Sequence, residues 1–378
     1  MDALSLLAGD APTFLREVWA SHVHVHRSEP EPLVALLSLE DVDRLVTSSG
    51  IRTPALRVVR DGRVLPQASY TRHATLAGQA VTGLVDGRKA LALFGDGATI
   101  VLQGLHRYWP PLAELTRGLE LALGHPCQVN AYLTPPRAQG FARHGDSHDV
   151  FVFQTSGRKR WTIGPDGDEQ QLDLVPGMSA YLPTGTLHAA RSESDASLHV
   201  TVGINRTTWR DLLTRACASL LEGSEYDEPL PAGYLAEPEL LEKELADRLS
   251  RLQQRVAELD AFSLTRQRVE SFLTGRPSSL AGLLVDVARL GSLEPGTVLR
   301  RRGAVLSLVE DGDRLRVLLG DRELRVPLRL APSLAFVRDA AELRPADLPG
   351  LTEADALVLA RRLVREGVLG FAPAEATS

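Results

Sequence analysis

Residues 141–154 read Phe-Ala-Arg-His-Gly-Asp-Ser-His-Asp-Val-Phe-Val-Phe-Gln, with His144 and Asp146 two positions apart. Along an extended strand, residues i and i+2 point to the same side, so an imidazole and a carboxylate can reach one metal ion. A third ligand should then come from a distant strand. His188 fits, because it follows the apolar run 180–182 and the turn Pro183-Thr184-Gly185. Two histidines and one carboxylate leave coordination positions open, as in non-haem Fe(II) oxygenases. Each of these residue types is also an ordinary surface group, so the pair by itself is a weak signal. His148 falls two residues beyond Asp146, on the same face of the expected strand. It is read as a supporting or packing residue rather than a ligand. His199 alternates with Leu198, Val200 and Val202, so it either points into the barrel near the metal or is a packed, hydrogen-bonded histidine. His22, His24 and His26 also alternate, but no acid stands near them, which argues against a second metal site.

The elements that must position these residues change character along the chain. Residues 1–50 read as mixed helix and loop, with Phe14, Leu15 and Trp19 on one apolar face and a helix at 39–46. From 51 to about 205, short β-rich runs alternate with Gly and Pro breaks, at 56–59, 91–94, 99–103, 128–133, 150–154, 161–163, 180–182 and 198–202. One amphipathic helix, 111–123, interrupts them. Many short strands at close spacing predict a sandwich or barrel, and a jelly roll closes such a sheet. After Asn205 the periodicity is helical over 209–221, 238–259 and 263–273. Strands then return at 297–309, 314–319 and 323–330, followed by a helix over 352–366 with Thr352 as N-cap and Gly367 past its end.

The company around the His-x-Asp pair is more specific than the pair. Asn130-Ala131-Tyr132-Leu133-Thr134-Pro135-Pro136 and Gln139-Gly140-Phe141 lead into it. Asp149-Val150-Phe151-Val152-Phe153-Gln154, Gly157-Arg158-Lys159-Arg160-Trp161, the turn 172–177, Tyr181-Leu182-Pro183 and Ser197-Leu198-His199-Val200-Thr201-Val202-Gly203 follow it. This ordered string, over roughly residues 95–210, resembles the JmjC-type cupin family of Fe(II)- and 2-oxoglutarate-dependent ribosomal oxygenases. The resemblance implies a mainly β catalytic domain, a double-stranded β-helix or jelly roll, over 1–206. An all-α dimerisation region over 207–290 and a small winged-helix-like α+β module over 291–378 would follow. It makes His144, Asp146 and His188 the iron ligands and catalytic centre. Lys159 would hold the distal carboxylate of 2-oxoglutarate, with Tyr132 and Asn130 binding the same cosubstrate or positioning the substrate. Some relatives carry a hydroxyl residue where this chain has Gly203, so that contact is absent or passes to Thr201.

The implied reaction is 2-oxoglutarate-coupled hydroxylation of an Arg or His side chain on a basic ribosomal protein, by a cytoplasmic homodimer. Hydroxylation of another peptide or natural product, methyl-lysine demethylation, and a non-catalytic metal-binding cupin remain open. Composition narrows the rest. A net charge of −6 argues against a nucleic-acid coating protein. Residues 295–378 hold 13 Arg against 12 acids, too balanced for a DNA-reading module. No run approaches the ~20 apolar residues of a membrane span, and the N-terminus lacks the pattern of a signal peptide. The two cysteines, Cys127 and Cys217, suit buried thiols in a reducing compartment rather than a disulfide framework. Only three lysines occur among 42 basic residues, which makes Lys159 conspicuous.

Overall fold

The computed structural model describes residues 2–139, 142–276, 280–303 and 305–372, so Gly140 and Phe141 of the motif string lie outside the described residues. The chain forms two compact units, Met1–Arg206 and Thr207–Ser378. The strands of the first unit, in chain order, begin with β1 (His24–Arg27), β2 (Leu56–Arg60), β3 (Arg63–Val64), β4 (Thr71–Leu76), β5 (Gln79–Val85) and β6 (Thr99–Gln103). They continue with β7 (Cys127–Thr134), β8 (His144–Gly145), β9 (Asp149–Ser156) and β10 (Lys159–Ile163). The last four are β11 (Gln170–Leu174), β12 (Met178–Leu182), β13 (Leu187–Ser192) and β14 (Ser197–Ile204).

From β7 onward the chain passes back and forth between two sheets, with β10 and β11 as a hairpin in the smaller one. The larger sheet has the order β1-β12-β9-β14-β7-β6-β2-β3 and the smaller one β11-β10-β13-β8. Four strands of each, β12-β9-β14-β7 and β11-β10-β13-β8, make the double-stranded β-helix. All the named pairings are antiparallel, and β14 runs in register with β7 from Ser197↔Thr134 to Ile204↔Cys127. Because side chains alternate, each central strand serves two environments. Phe151 and Phe153 of β9, with Leu198, Val200 and Val202 of β14, pack outward under the helices Ala3–Ala8 and Pro110–Leu123. Val152, Trp161, Ile163, Leu174 and Leu182 form a second buried apolar cluster.

Several local expectations change. Residues 91–94 are helical, inside Gly87–Gly95, because Asp86 caps the Lys89 amide and the Ala-rich run favours helix over strand. The strand carrying His144 stops at Gly145, and Ser147 and His148 form a bend, so His148 is not on a strand face. The hairpin β4–β5 has no counterpart in the sequence reading. Only His24 and His26 of the histidine run lie in a strand, and His24 Nε2 is spent on the Ala8 carbonyl at 3.0 Å. Cys127 is buried as expected, whereas Cys217 is exposed. Its helix, Trp209–Leu220, buries only Ala216.

The second unit holds the helices Trp209–Leu220, Pro238–Ala257 and Ala261–Thr274. Its later strands are β15 (Leu299–Arg301), β16 (Ser307–Asp311), β17 (Arg314–Leu319), β18 (Arg322–Pro327), β19 (Glu342–Leu343) and β20 (Leu369–Phe371). These form two three-stranded sheets, β19-β15-β20 and β16-β17-β18. Leu299, Val317, Leu334, Leu363 and Val364 close a core between those strands and the helices Ala331–Asp339 and Glu353–Arg365. Among the described residues no helix is long and apolar enough to cross a membrane.

Candidate metal centre

Strands β8 and β13 pair with His144 directly opposite His188, which brings together two imidazoles 44 residues apart in the chain. Their ring centroids are 4.5 Å apart. Asp146 sits between them, with Oδ1 3.7 Å from His144 Nε2 and Oδ2 3.7 Å from His188 Nε2. One donor atom from each residue lies within 4.8 Å of the others, and no other such group occurs among the described residues. Both rings are oriented the same way. His144 Nδ1 lies 2.8 Å from the Ala142 carbonyl and His188 Nδ1 2.9 Å from the Thr186 carbonyl. An Nδ1–H donated to a carbonyl places the free lone pair on Nε2, aimed at the shared point. Burial pushes the His188 imidazolium down, which keeps that lone pair available.

Sequence reasoning missed the clamp behind this centre. Asp149 is fully buried and accepts from Thr184 N at 2.8 Å and Thr184 Oγ1 at 2.6 Å, with Arg206 Nε at 3.2 Å. The Tyr181 hydroxyl donates to its other oxygen. Gly185 N also bonds the Asp146 carbonyl at 2.8 Å, so the turn before His188 is tied to the His-x-Asp segment. The signal was available as an acid flanked by Val150-Phe151-Val152-Phe153, a position that water does not reach.

The trio opens into a cavity of about 350 Å³ whose wall also carries Asn130, Tyr132, Lys159, His148 and His199. Every site residue expected from sequence therefore lines one cavity. Lys159 is buried, and its Nζ donates to Thr134 Oγ1 at 2.9 Å. Burial alone pulls its ammonium down to about 7. Tyr132 stacks on His199 at 4.9 Å, and burial raises its phenol, so the hydroxyl stays a donor at neutral pH. Asn130 Oδ1 accepts from Gly104 N at 3.1 Å. His148 packs against Gly203, where a Cβ would stand 2.6 Å from its Nε2, so the missing side chain makes room for the imidazole. Arg57 and Thr99 join the wall from β2 and β6, and nothing in their strands' alternation marked them beforehand. A larger groove, about 720 Å³, lies along β10, β11 and β13. Its Arg160 is bonded to Asp173 at 2.7 Å and paired with Glu193 at 3.3 Å.

Residues 113–179 match the family model of the JmjC domain. That stretch lies within the barrel unit. The model's span runs through the His-x-Asp segment and Lys159, and stops before His188. Among curated proteins, the chain is 27% identical over 235 residues to the bifunctional lysine-specific demethylase and histidyl-hydroxylase NO66 of Drosophila mojavensis, covering 56% of this chain and 25% of that protein. It is 28% identical over 255 residues to ribosomal oxygenase 1 of Rattus norvegicus, covering 59% and 40%. For the NO66 of Branchiostoma floridae the identity is 32% over 238 residues, covering 59% and 36%. The chain thus spans less than half the length of these relatives. The crystal structure of the Escherichia coli ribosomal oxygenase YcfD superposes with a TM-score of 0.55 at 20% identity, covering 97% of this chain and 99% of that one. YcfD in complex with cobalt and 2-oxoglutarate gives the same TM-score at 19% identity. The barrel and the elements after it therefore follow a known fold.

Proposed function

We propose that this chain is an Fe(II)- and 2-oxoglutarate-dependent oxygenase that hydroxylates an Arg or His side chain of a ribosomal protein. The observation that carries the proposal is the convergence of a His-Asp-His trio and a buried lysine on one cavity. The donor set fits a divalent iron: two imidazole Nε2 atoms and one carboxylate, with the remaining positions facing the cavity. His144, Asp146 and His188 would hold the metal. Lys159, with the Thr134 hydroxyl beside it, would bind the far carboxylate of the cosubstrate, and Tyr132 and Asn130 would orient what lies between. Bound iron would supply the activation of dioxygen that decarboxylation of 2-oxoglutarate drives. The surrounding low-dielectric wall, with Trp161 and Leu182, would keep water from the reacting atoms.

Three further parts belong to this reading. The second unit would divide into a helical region over 207–290 and a winged-helix-like module over 291–378. The helical region would join two chains into a homodimer, and the enzyme would work in the cytoplasm on a basic partner that its net charge of −6 attracts. A demethylase reading is favoured only by the names of the NO66 relatives. Intact-mass analysis of ribosomal proteins from a strain lacking the gene separates the two. Hydroxylation predicts one protein lighter by the mass of an oxygen atom, restored by the wild-type chain and not by His144→Ala. Demethylation predicts a retained methyl group instead, and unchanged masses overturn both.

A further inference from the structure

Lys159 is a buried cation without an anion. Its Nζ has two polar neighbours, Thr134 Oγ1 at 2.9 Å and His199 Nδ1 at 3.4 Å, and among the described residues no carboxylate pairs with it. Its register partners on the flanking strands, Leu174 on β11 and Ser192 on β13, are both uncharged. The other charged or titratable groups on the cavity wall are Arg57, Tyr132, His144, Asp146, His148 and His188. The one carboxylate there, Asp146, is held between two histidines. His199 is itself fixed by packing. It lies flat on Tyr132, with an interplanar angle of 7°, and edge-on to Trp161 at 5.5 Å. That orientation aims Nδ1 at the ammonium. To accept there, the ring must be neutral with its proton on Nε2. Burial and the nearby Lys159 charge both hold the imidazolium far down.

We propose that His199 is a positioning residue for Lys159, and that the pair binds the far carboxylate of a dicarboxylate as charged lysine beside neutral imidazole. Above neutral pH the anion then enters with a proton. This inference rests on the oxygenase reading above. The physical reason is linkage: an ammonium that burial brings to about 7 is stabilised once a carboxylate arrives, so binding and protonation favour each other.

The test titrates 2-oxoglutarate calorimetrically into the full chain loaded with manganese(II) under nitrogen, where no turnover occurs. Titrations at about pH 6 and about pH 8, each in two buffers of different ionisation heat, should show binding roughly tenfold weaker at the higher pH with nearly one proton taken up. His199→Phe keeps the stack but has no acceptor, and should weaken binding at least about fivefold at the lower pH, while His199→Gln should stay within about twofold of wild type. Equal wild-type binding at both pH values without proton uptake overturns the proposal without reference to any variant. So does wild-type affinity in His199→Phe. Lys159→Ala separates the two levels. If it weakens binding while His199→Phe is silent, the anchor stands and the role of His199 falls. If Lys159→Ala is silent as well, the assignment of Lys159 to the cosubstrate falls with it.

Discussion

At His144 and His188 the backbone carbonyls do the orienting, so the two Nε2 atoms face the same point before any ligand arrives. His144→Ala or Asp146→Ala should abolish iron binding while the melting temperature stays near wild type, because both side chains stand at the cavity mouth and neither fills the core. Metal content by atomic absorption checks this, with His148→Ala as the variant that keeps its iron. Lys159 makes the opposite trade. Fully buried and without an anion, it costs the empty fold stability that an apolar side chain of similar length would not cost. Lys159→Met should therefore stabilise the ligand-free protein by ~1–4 kcal/mol while losing the cosubstrate. The sign with pH follows from the depressed ammonium. Below about 7 the folded protein bears the full burial cost, and as pH rises from there toward the unfolded value of 10.5 the lysine neutralises and the cost fades. Thermal melts should show the Met variant's advantage largest near pH 6 and shrinking toward pH 9, as a difference of roughly several degrees. An advantage that grows with pH would contradict this account.

The turn joining β9 to β10 is what delivers Lys159 to the cavity, and it turns on one residue. Gly157 has φ +66°, and a Cβ there would meet the Ala196 carbonyl oxygen at 2.0 Å. Gly157→Ala must both enter the left-handed region and displace backbone, so it should cost more than ~2 kcal/mol and weaken 2-oxoglutarate binding together with stability. Gly167 supplies the matched control. Its φ is +86° with nothing within 4 Å, so Gly167→Ala should show only the conformational penalty of ~1–2 kcal/mol. Chemical denaturation of the two variants measures the difference. The β8–β13 pairing is a second example of an element carrying the chemistry. It needs only two register pairs, Leu187↔Gly145 and His188↔His144, because Asp149 and Thr184 hold the turn behind it.

At the scale of the whole molecule, the proposed dimer rests on an exposed apolar stripe in the second unit. The helix Pro238–Ala257 has no buried residue, and Leu240, Leu245, Leu249 and Val256 are all exposed. A helical segment of this size seldom closes a core alone, and two-fold pairing is the commonest way to cover such a stripe. Light scattering at micromolar concentration should give twice the chain mass of 41.0 kDa. Leu245→Glu with Leu252→Glu, two turns apart on one face, should then give monomer or aggregate. A monomeric wild type would place the cover elsewhere.

Much of the placement of the candidate site was legible in residue order. The His-x-Asp spacing and the distant His188 marked residues that the fold brings together, because strand periodicity is a local property. Lys159 came from the family resemblance, and the alternation of His199 with Leu198 and Val200 left its direction open. The jelly roll was likewise readable from short strands and Gly/Pro breaks. Where the pattern was too short, local reading failed: residues 91–94 carry an apolar run that suits strand or helix, and only the Asp86 cap and the packing of Ala90, fully buried, decide for helix. The strand through His148 ended early because the bend at Ser147 and His148 turns that ring toward the space left by Gly203, more than fifty positions away. Arg57, Thr99, the Asp149 clamp and the contact of His199 with Lys159 came only from the tertiary structure. Each depends on which strands become neighbours across two sheets, and that pairing is set by the packing of the whole roll rather than by any window of sequence.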